Sequence, residues 1–515
     1  MPEAVKRRWP KPAFAAICLA AWLTVAALGL ELHARYTLRR DAQEAERFCA
    51  ARMDAAFAAD YTLIAQTAAT APRPPEDLVR PLPPREDFGV LDDAARGTLA
   101  RERRELILLF DATRRVEKIY LPETGGELGA LSRAVQPGQH VSDILSGAEA
   151  ADALAVWPRL APGVFEPPHE YTVRLPDGAA YASEWSFLSL AGPRPAVAAF
   201  IRDSMWQVTW TRFRGHVYGN NFYDRWLNSE FWTNAQGYRD DEVVLPKPPG
   251  VVRIVCIGGS TTVEGPRNDL TYPNLLESKL RAHFKTDRIE VVNCGVYTLD
   301  SGREALCFPD YLALEPDLII EYNFINDIAA NLAQWMRPES LRGDPVKNLK
   351  QWLRQSVFVH RHFNAMLLPP ERELRRRYED TFFRNHRQML EQARAAGVAM
   401  AFGSFAHPDV DRLDPRETDY FYLRSNRLWG WSVDTRSYVR LVGLYNEMLR
   451  AFCARHDVPY LPIAEHVTGG VESFTDICHM HLNAMDDKAG VAFEHLRDFV
   501  AERLAAAGPA RGTAP

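Results

Sequence analysis

The sequence predicts an α/β protein. Its larger part is a doubly wound, flavodoxin-like domain on a parallel five-stranded sheet, preceded by a transmembrane helix and a smaller mixed α+β domain. Three observations predict this. Five short, nearly continuous apolar runs recur in the second half of the chain with helical patterns between most of them, as expected of strands covered on both faces. An uncharged stretch, Ala13 to Leu30, follows the basic cluster Lys6, Arg7, Arg8 and Lys11. Between these regions, shorter strand-like runs are separated by turn signals.

The uncharged stretch would span roughly 27 Å as a helix, close to the hydrocarbon thickness of a bilayer. A cleaved signal peptide or a buried helix are the alternatives. The length of the run, and its helical continuation from Glu31 to Arg40 without a small-residue cleavage site, favour an anchor. The basic residues precede the run, so the bulk of the chain is expected outside the cytoplasm, in the periplasm. Residues 1–36 thus form a cytoplasmic tip and anchor, and residues 38–70 read as helix leading to a proline-rich break at 70–87.

The next region, 37–215 in all, is expected to be a separate mixed domain. "ELILLFD" at 105–111 reads as a strand, and "YTVRLPDG" with "AYASEWSFLSL" reads as a hairpin turning at Asp177-Gly178. "PAVAAFIRD" at 195–203 is a further strand. A mixed α/β region behind a juxtamembrane helix resembles, in its order of elements, the PAS-type sensor domains found outside bacterial membranes.

Composition narrows the chemistry. With 515 residues and 47% hydrophobic side chains the chain can bury a large core. A formal charge of −6, with no long basic tract, excludes nucleic acid as the expected partner. The seven cysteines show neither a C-x-x-C pair nor zinc-ligand spacing, so no metal, cofactor or particular disulfide is expected.

The five apolar runs are "VVRIVCI" (251–257), "IEVVN" (289–293), "DLIIEYN" (317–323), "VAMAFGS" (398–404) and "VPYLPI" (458–463). The first runs directly into "GGSTTVEG", which puts Ser260 on a tight turn at the carboxyl end of a core strand, where open parallel sheets bind ligands. A glycine-rich turn of this kind can cradle phosphate, but neither G-x-x-x-x-G-K-[ST] nor G-x-G-x-x-G is present. A serine nucleophile needs a base and an orienting carboxylate, and "SFTDICHMHLNAMDDKAG" offers Asp476 and His479 three residues apart. His481 is the competing base, or else a loop residue on the rim of the site. The second and third strands end in "VVNCGVYTLDSG" and "EYNFINDIAAN", which bring Gly295 and Asn326 to the same edge as donors for an oxyanion.

This constellation resembles the SGNH/GDSL hydrolases over roughly residues 228–505, with 506–515 as a flexible tail. "IGGSTTVEG" is similar to the family's first block, "NCGVYT" to its second, "FIND" to its third and "DICH" to its fifth. The resemblance implies Ser260 as nucleophile, His479 as base, Asp476 as its orienting partner, and Ser260, Gly295 and Asn326 as the oxyanion hole. "TNAQGYRDDE" looks like the lead-in of bacterial members, where Asn234 and Arg239 would brace the domain. Two positions depart from the pattern. Gly259 replaces the usual Asp, and Phe324 takes the glycine position of G-x-N-D, where its ring would narrow or reshape the acyl pocket. His407, just past the fourth strand, is a second candidate for the substrate pocket, or a capped loop residue. "TDYFYLRSNRLWGW" at 418–431 is a candidate lid or sugar-stacking wall, or else core, and the charges of 371–397 are expected to coat a solvated helix.

The expected activity is that of a serine esterase removing an acetyl or other short acyl group from an envelope or extracellular ester. The substrate would be an ester-bearing small molecule or an acylated polysaccharide. An O-acyltransferase using the same serine, or an inert membrane-tethered sensor or assembly protein, are the alternatives.

Overall fold

The computed structural model describes residues 11–68, 85–121, 126–160, 166, 169–174, 180–190, 196–203, 211–220, 230–328, 356–362, 368–429 and 434–506, apart from 104, 214, 217, 360 and 361. The cytoplasmic tip, most of the proline-rich break, the Asp177-Gly178 turn, Gly430 and Trp431 of the candidate lid, and nearly all of the C-terminal tail lie outside these residues. The chain forms two compact units, one of Met1–Ala71, Tyr223–Ser229 and Val244–Pro515, the other of Pro72–Phe222 and Glu230–Val243.

The larger unit begins with one continuous helix, α1 (Lys11–Thr67). Its buried residues are Ala34, Ala42, Ala45, Cys49, Met53 and Asp60, a stripe at helical spacing made mostly of small side chains. Small residues allow close approach, and this stretch of α1 packs on the helix Pro415–Trp429. The Arg416 guanidinium lies 3.7 Å from the centre of the Phe48 ring, and Arg52 bonds Glu417 at 2.7 Å. Residues 37–67 therefore belong to the larger unit and do not open the smaller one, which corrects the boundary expected at residue 37. Ahead of that stripe, Leu19, Trp22, Leu23, Val25 and Leu28 expose their side chains. Among the described residues no helix is long and apolar enough to cross a membrane.

The smaller unit holds an antiparallel sheet of β1 (Leu106–Phe110), β2 (Val116–Tyr120), β3 (His169–Arg174), β4 (Ala180–Leu190) and β5 (Ala196–Asp203), in the order β2-β1-β5-β4-β3. Strand β1, flanked by β2 and β5, is buried on both faces. Leu106, Leu108 and Phe110 join a core with Trp185 and Phe187, while Ile107 and Leu109 join a second with Phe88 and Phe200. The expected strands and hairpin pairing are present, and β2 is an addition. A short pair, β6 (Tyr218–Asn220) and β7 (Glu230–Trp232), leads into 233–243. There Asn234 Oδ1 accepts the N–H groups of Gln236 and Tyr238, and Arg239 donates to Glu230 O beneath the Phe231 ring. These two residues brace this smaller unit, not the parallel-sheet domain to which the resemblance assigned them.

All five expected parallel strands form: β8 (Val252–Gly258), β9 (Ile289–Gly295), β10 (Leu318–Tyr322), β11 (Ala399–Gly403) and β12 (Tyr460–Leu461). Their order is β12-β11-β10-β8-β9, with every pair parallel. Because β9 lies on one side of β8 and β10 on the other, the winding reverses there. The carboxyl ends of β8 and β10 flank that switch point, where a crevice forms. The segment 371–395 is helical, with Leu374, Tyr378, Phe382, Phe383 and Met389 turned inward and its arginines and glutamates paired outside.

Candidate active site

Strand β8 ends at Gly258, and the four-residue helix α2 (Ser260–Val263) starts at once. Two glycines make this turn possible. A Cβ at Gly259 would stand 2.3 Å from Asn326 Nδ2, and one at Gly295 would stand 2.5 Å from Val263 N. Contacts that short are not met by real side chains, so α2 is closely embraced by the ends of β9 and β10. Gly259 is thus the residue that makes room for Asn326.

His479 comes from near the C-terminal end of the chain. Residues 473–481 form a tight loop whose ends are tied by His481 N–H to Ser473 O at 2.9 Å and Thr475 N–H to His479 O at 2.9 Å. Inside it, Asp476 Oδ1 accepts the N–H groups of Cys478 and His479, at 3.0 and 2.9 Å. The same carboxylate lies 2.9 Å from His479 Nδ1 through Oδ2, and His479 Nε2 lies 2.8 Å from Ser260 Oγ. Asp476 is fully buried and His479 nearly so, whereas Ser260 is partly exposed. A carboxylate held this way fixes the imidazole with Nδ1 protonated and leaves Nε2 to take the serine proton. Glu264, just past α2, accepts the Met480 N–H at 3.3 Å and ties this loop to the serine turn.

Asn326 is partly exposed, and its amide donates to Leu299 O at 2.8 Å while lying against Gly259. Its second N–H is chemically available to a substrate oxygen. Gly295 is placed differently from expectation: its N–H donates to Asn293 Oδ1 at 3.0 Å, so it serves an oxyanion only if that amide yields.

Two expectations, for Phe324 and His481, are corrected, while His407 and the segment from 418 fall on the loop and core alternatives. Phe324 does not line a pocket; it is fully buried, stacked on Phe382 at 5.5 Å and packed on Phe405 and Tyr445. His407 is mostly buried, its Nδ1 bonded to Pro408 O, and burial lowers its pKa from the usual value. His481 is neither a base for Ser260 nor a rim residue, because it is fully buried with Nδ1 2.7 Å from Asp60 of α1. Within the candidate lid, Tyr420 and Phe421 are core residues.

Two groups near the site were not among the expected site residues, although Asp327 closes the "FIND" block. Lys488, in the C-terminal helix α3 (Leu482–Ala506), is fully buried beneath α2. Its ammonium donates to Thr261 O at 2.8 Å and lies 3.4 and 3.8 Å from the ring centres of Tyr322 and Tyr272. Burial lowers its pKa to about 7, against the pull of Glu264. Behind Asn326, Asp327 accepts both the N–H and the hydroxyl of Ser301, at 2.9 and 2.6 Å. Burial still pushes Asp327 up to about 7, and it lowers nearby His386 to about 4. Glu304 and Glu321, equally buried, are pushed well above the carboxylate range, first by desolvation.

Among the described residues, one group has the donors to hold a metal ion: Asp476, Cys478 and His479, with ligand atoms within 4.8 Å of one another. Two of these are the hydrogen-bonded pair behind Ser260, so an ion there would compete with the proton path.

No protein-family model matches the chain, and no curated protein matches it. Solved structures similar to it include a member of the lipolytic protein G-D-S-L family from Veillonella parvula, at 13% identity over 47% of this chain and 97% of that one, TM-score 0.28. The lipase/acylhydrolase from Enterococcus faecalis is similar at 12% identity over 48% and 97%, TM-score 0.29. A PAS domain of an HTR-like protein from Haloarcula marismortui is similar over 21% of this chain and 95% of that one, at 13% identity and TM-score 0.18. Likenesses at these scores add nothing to what the strands and side-chain distances establish by themselves.

Proposed function

We propose that the chain is a serine esterase of SGNH type that removes an acetyl or other short acyl group from an envelope or extracellular ester, a glycan among the candidates. The observation that carries this reading is the relay from Ser260 Oγ through His479 to Asp476, at 2.8 and 2.9 Å. In the proposed cycle Ser260 Oγ attacks the ester carbonyl while its proton passes to His479 Nε2. The carbonyl oxygen becomes an oxyanion, met by the N–H groups at the start of α2 and by the Asn326 amide. His479 then returns the proton to the departing alcohol, and water, activated by the same imidazole, releases the acid and restores Ser260. Asp476 stays ionised and stabilises the imidazolium.

In the same proposal the apolar part of α1 anchors the chain in a membrane. The uncharged run and the exposed Leu19, Trp22, Leu23, Val25 and Leu28 support this. Membrane fractionation of the full chain, with and without residues 1–30, tests it, and an unchanged distribution rejects it.

The esterase test is labelling by a fluorophosphonate and hydrolysis of p-nitrophenyl acetate, followed by a panel of acetylated sugars. Wild type should label and turn over, and Ser260→Ala should do neither while folding normally. Equal turnover by the two rejects the assignment.

A further inference from the structure

We infer that Asp60, far away in the sequence on the N-terminal helix, is a positioning residue for the loop that carries His479. The inference rests on the esterase reading for its kinetic consequence but on contacts for its geometry. Asp60 is 3% exposed and uses both carboxylate oxygens on one short segment. Oδ2 lies 2.7 Å from His481 Nδ1, and Oδ1 accepts the Leu482 N–H at 3.0 Å, one of the unpaired donors at the start of α3. Around this pair, the Phe57 ring meets the His481 ring edge-on at 4.7 Å, and Met53 Sδ lies 3.3 Å from His481 Nε2. Asp60, Phe57 and Met53 are successive turns of one helix face, so α1 grips the segment immediately after the catalytic histidine.

The loop needs that grip. His479 is two residues from His481, and the Thr475 and His481 N–H bonds make the loop a closed unit that moves as a body. Beside Asp60 lies an open cleft of 520 Å³, lined by Arg52, Ala59, Leu63, Glu472 and Leu482 among others. That side is open to solvent, so the polar contacts of α1, the two Asp60 bonds and the Arg52–Glu472 ion pair at 2.6 Å, carry the restraint there. A shift of the loop changes the distance from His479 Nε2 to Ser260 Oγ, and a displacement of about 1 Å at such a site lowers the rate on the order of a hundredfold.

The conservative variant separates positioning from charge. In Asp60→Asn the amide oxygen still accepts from Leu482, and the amide N–H donates to His481 once that imidazole carries its proton on Nε2. In Asp60→Ala both bonds are lost. Phe48→Ala serves as control, since it loosens α1 at Arg416 without touching the loop.

With full-length protein and p-nitrophenyl acetate, Asp60→Ala should lower kcat and the rate of fluorophosphonate labelling about tenfold or more, with KM within about twofold. Asp60→Asn and Phe48→Ala should stay within about threefold of wild type. If Asp60→Ala does not fold, Phe57→Ala weakens the same grip with no polar group left unpaired, and it should lower kcat in the same pattern. The inference is overturned if the variant that folds matches wild type, or if Phe48→Ala falls as far. Should wild type itself neither label nor turn over, the esterase reading fails, and the NMR resonances of the His479 imidazole decide the geometry. A change in Asp60→Ala and not in Phe48→Ala supports the grip; unchanged resonances overturn it.

Discussion

Replacing Asp327 by Asn should flatten the loss of stability that the domain suffers as pH rises through neutrality. The Asp327 carboxyl ordinarily ionises near 3.8 and is pushed up to about 7 in the fold, chiefly by burial, despite two hydrogen bonds from Ser301. A raised carboxyl pKa means the folded state holds the proton more tightly than the unfolded chain. The stabilisation is complete below pH 3.8 and is lost as pH climbs to about 7, in total about 4 kcal/mol. His386 works in the opposite sense. Its pKa falls from 6.5 to about 4, so its contribution grows as pH rises across that interval and then stays constant. In wild type the two slopes oppose each other below pH 6.5, and in Asp327→Asn that of His386 is no longer opposed by Asp327. Between roughly pH 5 and pH 7.5 the variant should gain about 2–3 kcal/mol relative to wild type. Urea unfolding of the full chain measures this, scored on the transition that abolishes Ser260 labelling so that the correct unit is followed. A difference between variant and wild type that is the same at both pH values refutes the reasoning.

Three further outcomes follow from the same geometry. Asp476→Asn removes the group that fixes the His479 tautomer and should lower kcat on the order of ten-thousandfold with little change in fold, checked by steady-state kinetics and circular dichroism. Gly259→Ala, and equally Gly259→Asp, drives a Cβ into the Asn326 amide. Each should cut the Ser260 labelling rate about a hundredfold by displacing a donor. Phe324→Ala should cost about 3–5 kcal/mol of stability in thermal or urea unfolding and leave KM for short esters unchanged, because the ring lies in the core.

The parallel sheet was legible because strands buried on both faces must be apolar almost throughout, and β8 is buried at every position. Ser260, Asp476 and His479 were legible because each sits at a strand end or in a short loop with a local pattern. Strand β2 was not, since Glu117 and Lys118 face solvent and the turn before it uses Asp111 to bond Thr113 and Arg115, without a glycine or asparagine. Phe324 misled because two residues from Asn326 in sequence does not mean the same side of the strand end. Gly295 was placed at the right edge, but no local pattern reveals that Asn293 takes its N–H. The Asp60–His481 pair joins residues 421 positions apart, and only the docking of α1 brings them together.

Helix α1 runs from Lys11 to Thr67 without interruption. Asp60 and Leu30 are therefore separated by roughly 45 Å of stiff rod. Between the two, Ala34, Ala42, Ala45, Cys49 and Met53 are buried and Arg52 pairs with Glu417, so the rod is clamped along its length before it reaches the carboxylate. The exposed apolar end therefore projects from a helix whose other end is fixed in the same unit as the serine and its histidine.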